Sequence, residues 1–141
     1  MDTLGIKVKM LSPEAALPAY AKPGDAGMDV RAVSKVKVDG YIEYGTGLAF
    51  EVPAGYVMLV FPRSSISNTS LSLTNSVGVL DSGYRGELKL RFRSHGSNEY
   101  EVGDRIGQII VLPYPEISFT AVEDLAVSER GDGGFGSSGK G

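Results

Sequence analysis

The chain of 141 residues has the length of one domain, and its composition excludes several kinds of active site. It contains no Cys and one His, which excludes thiol catalysis, a disulfide framework, and zinc or iron sites built from Cys or His clusters. Its net charge of −3 is unlike the basic excess of a protein that binds nucleic acid through phosphate contacts. We therefore expect no nucleic-acid partner, and any metal should be a hard cation held by oxygen.

Residues 1–20 have neither the apolar region nor the cleavage pattern of a signal peptide. The longest apolar stretch is Tyr56–Phe61, which has the length of a strand and falls far short of the roughly 20 residues that span a bilayer. These observations predict a soluble, cytoplasmic protein with no membrane partner.

Alternation of apolar and charged residues with a period of two recurs along the chain. It runs through Ile6–Met10, through a second segment where Val36 and Val38 alternate with lysines, and through Leu88–Phe92. This pattern predicts strands whose apolar residues lie on a buried face and whose charged residues are solvated.

Proline-containing turns divide the other predicted strands. Pro53–Gly55 separates 47–52 from 56–61, which predicts that these two strands pair. A second such turn, at 113–116, lies between two more predicted strands, 106–112 and 117–122.

Helical periodicity is nearly absent from the chain. The best candidates are 13–17, which Pro18 ends, and a short turn near 64–69. Many short strands punctuated by 19 Gly and 7 Pro predict an all-β fold, an antiparallel sandwich or barrel.

Residues 130–141 differ from the rest and are treated as a flexible C-terminal arm, with 1–129 as one β domain. The segment contains six Gly, two Ser and one bulky apolar side chain, Phe135. Ordering such a segment costs much entropy, so a disordered tail is one interpretation. A glycine-rich segment with one Arg and one aromatic ring would also suit an arm that closes on phosphates.

Four other polar segments interrupt the alternating pattern: Asp25–Asp29, Pro62–Ser65, Asn75–Glu87 and Gly103–Gln108. The third predicts a strand, a turn and a strand, with Asp81 at the mouth of the resulting hairpin. Each segment alone also fits a structural role, such as an acidic turn, a helix N-cap or an Asp that caps backbone.

Taken in order, these segments resemble the five motifs of the trimeric dUTP pyrophosphatase (dUTPase) family. They are DAGMD, PRSS, NSVGVLDSGYRGE, GDRIGQ and RGDGGFGSSG, and the resemblance extends from about Asp25 to Gly139. It implies a jelly-roll homotrimer with shared active sites at its subunit interfaces. It also implies Mg²⁺-dependent hydrolysis of dUTP to dUMP and pyrophosphate, which limits uracil in DNA and supplies dUMP for thymidylate synthesis.

The resemblance assigns the nucleoside to the segment around Asp81. Main-chain groups would hydrogen-bond the uracil edge and reject cytosine, because a swapped donor leaves a buried group unpaired. Tyr84 would pack under the deoxyribose and leave no space for a 2′-hydroxyl. The implied nucleoside-binding residues are Asn75, Gly78, Val79, Leu80, Tyr84 and Lys89.

The same resemblance makes Asp81 the general base, which would deprotonate a water for in-line attack on the α-phosphorus. Mg²⁺ would bridge the phosphates, with Asp29 holding its waters in a second shell. Phe135 would stack over the uracil while the arm closes. The implied phosphate-binding residues are Arg63, Ser64, Ser65, Gln108, Arg130, Gly136 and Ser137.

Two positions depart from the family pattern: Ser65 stands where Gly is usual, and Gly83 stands where an acidic residue is common after Asp81 and Ser82. Neither departure removes a group with an assigned chemical role. Gly83 would loosen the turn that carries Asp81.

Two alternatives remain open at this stage. The related dCTP deaminases share the fold and an Arg-Ser-Ser motif, but their catalytic Glu would fall where this chain has Arg91. A non-catalytic trimeric jelly roll with a structural or regulatory role is the other, although it would gain little from an intact Asp81 and an intact arm.

Deletion of 130–141 is expected to collapse kcat for dUTP while leaving the trimer intact, because the arm would close the site rather than hold the subunits together. Steady-state kinetics and size-exclusion chromatography measure the two effects. A fully active truncated chain would return this segment to the interpretation as a passive tail.

Overall fold

Nine strands and one short 3₁₀ helix make up the regular structure of residues 3–136, the part of the chain that the computed structural model describes. The helix is Ser64–Asn68, which confirms the short turn predicted near 64–69. The strands are β1 Lys7–Met10, β2 Met28–Arg31, β3 Ser34–Val38, β4 Tyr41–Glu51, β5 Tyr56–Phe61, β6 Leu71–Leu73, β7 Gly78–Leu80, β8 Glu87–Ser94 and β9 Arg105–Pro113.

The strands form two antiparallel sheets. In the five-stranded sheet, β1 and β3 both pair with β4, which pairs with β8, which pairs with β6. The four-stranded sheet has the order β2-β9-β5-β7. This arrangement confirms the predicted all-β, jelly-roll-like antiparallel sandwich. No helix within residues 3–136 has the length and apolarity needed to cross a membrane.

The core lies between the two sheets and is centred on aromatic rings. Tyr44, Phe92 and Tyr100 pack edge to face with ring centroids 5.6–6.1 Å apart. The Tyr44 hydroxyl donates to the Tyr100 carbonyl at 2.9 Å, and burial raises the pKa of Tyr44 to about 12. On the inner face of β8, Leu88, Leu90 and Phe92 are buried, as the alternating pattern predicts.

An irregularity in the middle of β4 lets this long strand stay buried along most of its length. The register with β8 shifts between Gly45 and Ala49. The Thr46 hydroxyl fills the gap in the ladder by donating to the Leu88 carbonyl at 2.7 Å, and the Glu87 carboxylate accepts from the Gly47 amide at 3.0 Å. Gly47 has a φ of +70°, which other residues adopt only with strain. These contacts anchor the start of β8 to β4.

Two predicted pairings are wrong. The segments 47–52 and 56–61 are both strands, but they lie in β4 and β5, which belong to different sheets. Likewise β7 pairs with β5 and not with β8, so the segment 75–87 crosses between the sheets and is not a hairpin. Each turn connects strands that lie face to face across the core, a geometry that local turn chemistry does not distinguish from a hairpin.

The predicted buried face of β3 is wrong. Val36 and Val38 are exposed, Lys37 is exposed as well, and only Lys35 is half-buried. Both lysines contact Glu99, which accepts from them at 2.8 and 2.7 Å. These contacts hold the pKa of the Glu99 carboxyl below its ordinary value. Because β3 pairs only with β4 in the described chain, it lies at the sheet edge and buries neither valine.

Two predicted elements are absent from the described residues. The segment 13–17 forms a turn rather than a helix, and 117–122 is not a strand. Beyond Pro113 the chain is irregular and exposed through Gly136. Several of its apolar side chains have no cover in the single chain, with Phe119 93% and Val127 100% exposed. An apolar surface of this extent in one segment suits contact with another polypeptide.

Candidate functional site

A polar cavity lies between the open edges of β7 and β8. β7 is the last strand of its sheet, so its edge away from β5 has no strand partner in the described chain. β8 pairs with β6 only from Phe92 onwards, and the Arg91 carbonyl also accepts from the Thr74 amide, so the backbone edge of residues 88–90 has no strand partner on that side in the described chain. We call the cavity between them, about 360 Å³ in volume, the edge pocket; it is lined by Val60, Leu73, Thr74, Asn75, Gly78, Val79, Leu80, Leu88, Lys89, Leu90 and Arg91.

The edge pocket therefore presents main-chain groups and few polar side chains. An unpaired strand edge offers amide donors and carbonyl acceptors at fixed spacing, which is what a planar ring with alternating donors and acceptors can pair with. Gly78 keeps β7 close to β5, because a Cβ there would lie 3.1 Å from the Val60 Cβ. The structure brings together Asn75, Gly78, Val79, Leu80 and Lys89, as the resemblance implies for a nucleoside site.

Asp81 and Tyr84 lie at the rim of the edge pocket. Both line a neighbouring cavity of about 320 Å³ that shares Val79, Leu80 and Lys89 with it. Asp81 directly follows β7 and is exposed. No hydrogen bond or ion pair occupies its carboxylate within residues 3–136, which leaves it available to a water molecule.

The Tyr84 ring is held by its own turn. Its hydroxyl donates to the Glu87 carbonyl at 3.0 Å, and its amide donates to the Asp81 carbonyl at 3.1 Å. The hydroxyl end of the ring lies against Gly86, since a Cβ at that position would fall 2.4 Å from the Tyr84 hydroxyl oxygen. Gly86 is therefore required for the position of the ring.

Two cations and one carboxylate lie beside the rim on the outer face of the five-stranded sheet. Glu43 on β4 accepts from Arg91 at 2.8 Å and lies 3.4 Å from the Lys89 ammonium. Partial burial raises the pKa of Glu43, but the two cations outweigh it and hold that pKa below its ordinary value. Glu43 thus fixes both basic side chains, and the sequence pattern did not single it out.

A second polar group, which we call the arginine cluster, lies at the far end of β5. The Arg63 Nε donates to Asp29 Oδ1 at 3.2 Å, and its Nη1 donates to the Ser65 hydroxyl at 3.1 Å. Gln108 pairs with Asp29 in the β2–β9 register, and its amide donates to the Pro62 carbonyl at 3.1 Å. Ser64 begins the 3₁₀ helix beside them and is exposed.

Arg105 also belongs to the arginine cluster. Its guanidinium lies 3.7 Å from Asp29 Oδ2, so two arginines share one carboxylate. The sequence interpretation missed this role, although Arg105 stands inside the GDRIGQ segment that it had singled out. A cluster with excess positive charge and exposed hydroxyls can accept an anion with several oxygens, such as a phosphate chain.

The rim of the edge pocket and the arginine cluster do not meet within one chain. Leu80 pairs with Met58, so Asp81 leaves β7 near the level of Val57, while Arg63 lies beyond the other end of β5. At roughly 3.4 Å per residue, Asp81 and Arg63 are about 20 Å apart along the strand. Within one chain, the edge pocket and the arginine cluster are therefore separated by more than the length of a triphosphate.

The described part of the arm contacts neither the edge pocket nor the arginine cluster. The Arg130 side chain donates only to the Gly133 carbonyl, and Phe135 is fully exposed with a φ of +49°. Gly136 follows it with a φ of +82°. Ser137 and the rest of the arm lie outside the described residues.

The carboxylates of residues 3–136 form no metal-binding cluster of three or more side chains. Asp29 is partly exposed and has both oxygens beside arginines, which leaves room for a hydrogen bond from a metal-bound water but not for a resident ion. This donor set fits Mg²⁺ that arrives with phosphates and keeps several waters.

Comparison with known proteins gives one consistent result. Residues 13–139 match the model of the dUTPase family. The chain is 40% identical to the deoxyuridine 5′-triphosphate nucleotidohydrolase of Gloeobacter violaceus, with 99% of each chain covered, and 40% identical to that of Helicobacter hepaticus, with 99% of this chain and 91% of the relative covered. Among solved structures, a mutant dUTPase of Staphylococcus bacteriophage 80alpha with dUpNHpp superposes with a TM-score of 0.84 at 29% identity, covering 97% of this chain and 99% of that one.

Substitution of Gly86 by Ala is expected to lower the free energy of unfolding by about 1 kcal/mol, because the new methyl group must displace the half-exposed Tyr84 ring. Gly83→Ala is the matched control, since a Cβ at Gly83 meets no atom within 4 Å. That variant should stay within about 0.5 kcal/mol of the parent protein. Urea unfolding measures both, and equal stability of the two variants would contradict the packing of Tyr84 on Gly86.

Proposed function

Because this chain belongs to the dUTPase family, we propose that it hydrolyses dUTP to dUMP and pyrophosphate in an active site shared between subunits of a homotrimer. The observation that carries the proposal is the edge pocket with Asp81 and Tyr84 at its rim. The volume of the pocket is of the size expected for a small-molecule site, and its reactive carboxylate is at the mouth.

The edge pocket accounts for selection of the base. Uracil presents an acceptor, a donor and a second acceptor along one edge, which main-chain groups of Gly78, Val79 and Leu80 complement, with the Asn75 amide beside them. Cytosine would leave a main-chain group unpaired in the pocket, at a cost of about 1–3 kcal/mol. Thymine has the same edge, so its exclusion depends on the lack of space for a methyl group.

Tyr84 selects the sugar in this proposal. Its hydroxyl end lies against Gly86 and donates to the Glu87 carbonyl, which orients the ring at the rim. A ribonucleotide would place its 2′-hydroxyl against this ring, where a deoxyribonucleotide makes an apolar contact.

Asp81 is the proposed general base. Its carboxylate accepts a proton from water as the water oxygen bonds to the α-phosphorus, and the bond from that phosphorus to the β-bridging oxygen breaks, so pyrophosphate leaves with the bonding pair. The carboxylate is exposed and free of ion pairs in the described chain, which supports this role. Lys89, fixed by Glu43, supplies positive charge beside the reacting group.

The arginine cluster of a neighbouring subunit binds the phosphate chain. Arg63, Ser64, Ser65 and Gln108 provide donors for it, and Arg105 adds charge. The separation of about 20 Å between Asp81 and Arg63 along β5 is far longer than a triphosphate, which supports a site assembled from two chains. The exposed apolar residues after Pro113 also favour an oligomer.

Mg²⁺ bound by the three phosphates would neutralise their charge and orient them, with Asp29 holding its waters in a second shell. The arm 130–141 would close over the loaded site. Arg130 would reach the terminal phosphate, Phe135 would stack on the uracil, and Gly136 and Ser137 would approach the phosphates with their backbone, excluding bulk water.

Such an enzyme would limit the incorporation of uracil into DNA and supply dUMP for thymidylate synthesis. The deaminase alternative requires an acid on β8 where Arg91 pairs with Glu43. A non-catalytic role as a structural or regulatory trimer predicts no turnover of any nucleotide.

Purified protein with Mg²⁺ is expected to release pyrophosphate from dUTP, with hardly any release from UTP, dCTP or dTTP. Asp81→Asn should bind dUTP but lose turnover by at least about a thousandfold, because the amide cannot accept the proton of water. A coupled pyrophosphate assay and isothermal titration measure the two effects. Equal turnover of all four nucleotides, or an active Asn variant, would contradict the proposal.

A mixture of two inactive variants tests the shared site. Asp81→Asn and Arg63→Ala homotrimers should both be inactive, whereas every mixed trimer contains one site with both native residues. Co-expressed subunits that assemble at random should therefore recover roughly a quarter of the native activity. If both residues of a site came from one chain, mixed trimers would stay as inactive as their parents.

A further inference from the structure

The turn between β7 and β8 has to hold Asp81 and Tyr84 at the rim of the edge pocket, yet it contains little that would make it rigid. Gly83, at its tip, is in open space, with no atom near the position of a Cβ. Asp81 is exposed and has no side-chain contact of its own in the described chain. A flexible turn would let the carboxylate sample positions away from the reacting water.

Arg85 supplies the missing constraint. Its Nη1 donates to the Ser82 carbonyl at 2.6 Å and to the Tyr84 carbonyl at 3.2 Å. These carbonyls flank Gly83 on both sides, so one guanidinium spans the flexible position. A planar guanidinium with several donors suits this double contact, and hydrogen bonds from a charged donor are stronger than neutral ones.

The same side chain connects the turn to the body of the protein. Arg85 Nε lies 3.9 Å from a Glu51 carboxylate oxygen at the end of β4, and Lys7 on β1 approaches the other oxygen at 3.8 Å. These are exposed ion pairs and contribute little to stability. They orient the Arg85 guanidinium toward the turn, where the Ser82 and Tyr84 carbonyls accept its hydrogen bonds.

We propose that Arg85 is a positioning residue for the reaction, because it fixes the 81–84 turn and thereby holds Asp81 in line with the attacking water. This inference rests on the function proposed above. Arg85 does not touch the substrate in this proposal, so its removal should lower kcat while leaving nucleotide binding nearly unchanged.

The test compares Arg85→Met with Arg93→Met in the full-length protein. Arg93 is the matched control, because it is an exposed arginine on β8 whose guanidinium also contacts a turn carbonyl, that of Gly40, at 3.4 Å. For Arg85→Met we expect kcat for dUTP to fall about tenfold or more, since a 1 Å misplacement of a reacting group can cost about 100-fold. The Kd of dUpNHpp and the unfolding temperature should match those of the control.

Arg85→Lys distinguishes the effect of the guanidinium geometry from the effect of the positive charge. It keeps the charge but offers one compact ammonium to two carbonyls, so its kcat should lie between those of the native protein and Arg85→Met. If Arg85→Met does not fold, Arg85→Lys and Arg85→Gln carry the same comparison against Arg93→Met. A kcat within twofold of the control, or a parallel loss of kcat and affinity, would overturn the inference.

The native protein and Asp81→Asn are measured beside these variants. If the native protein does not hydrolyse dUTP, the proposed function is wrong and this inference is wrong with it. If the native protein is active and Asp81→Asn is not, while Arg85→Met behaves as its control, only the positioning role is wrong.

Discussion

The pairing of β7 with β5, and not with β8, is the constraint on which the rest of the site depends. It places the two strands that flank Asp81 in different sheets, so that their facing edges remain unpaired and a pocket opens between them. Had these strands formed a hairpin, their main-chain groups would have satisfied one another. The backbone groups that could bind a base are therefore available because they form no hydrogen bonds to a neighbouring strand.

The start of β8 has to be held firmly for such a gap to persist. The Thr46 hydroxyl and the Glu87 carboxylate both bridge the irregular part of β4 to this region. Glu87 is also the residue whose carbonyl holds Tyr84, so the anchoring of β8 and the position of the ring at the rim share one residue. The anchoring of β8 and the proposed selection of the sugar by Tyr84 thus both depend on Glu87.

The sequence predicts the class of the fold and most of its strands, because β8 clearly carries a period of two and β5 is a short apolar run that a turn signal bounds. It does not predict which strands pair. Pro53–Gly55 and the turn after Asp81 look like hairpin turns, and only the packing of two sheets decides that they are crossings. β3 shows a related limit, since its alternation predicts a buried face for Val36 and Val38, and its place at the sheet edge leaves both exposed.

For the site, the ordered motifs identify Asn75, Gly78, Val79, Leu80 and Lys89, which the structure brings together in the edge pocket, but they do not indicate that Asp81 and Arg63 are far apart in one chain. Asp81 and Arg63 are both prominent in the sequence, and nothing local indicates that they lie at opposite ends of β5. Glu43, Arg85 and Arg105 were missed as contributors for a similar reason: each acts through a partner distant in sequence or through backbone carbonyls, which no motif records.

The exposed apolar residues after Pro113 have a consequence for how the protein is made. They follow the last strand of the sandwich, so they leave the ribosome after all the strands have been synthesised. The β sandwich can fold first, and the apolar segment after Pro113 is synthesised only after the strands. Chain order would then separate two events, because in the proposed oligomer association would begin only with the segment that follows the last strand.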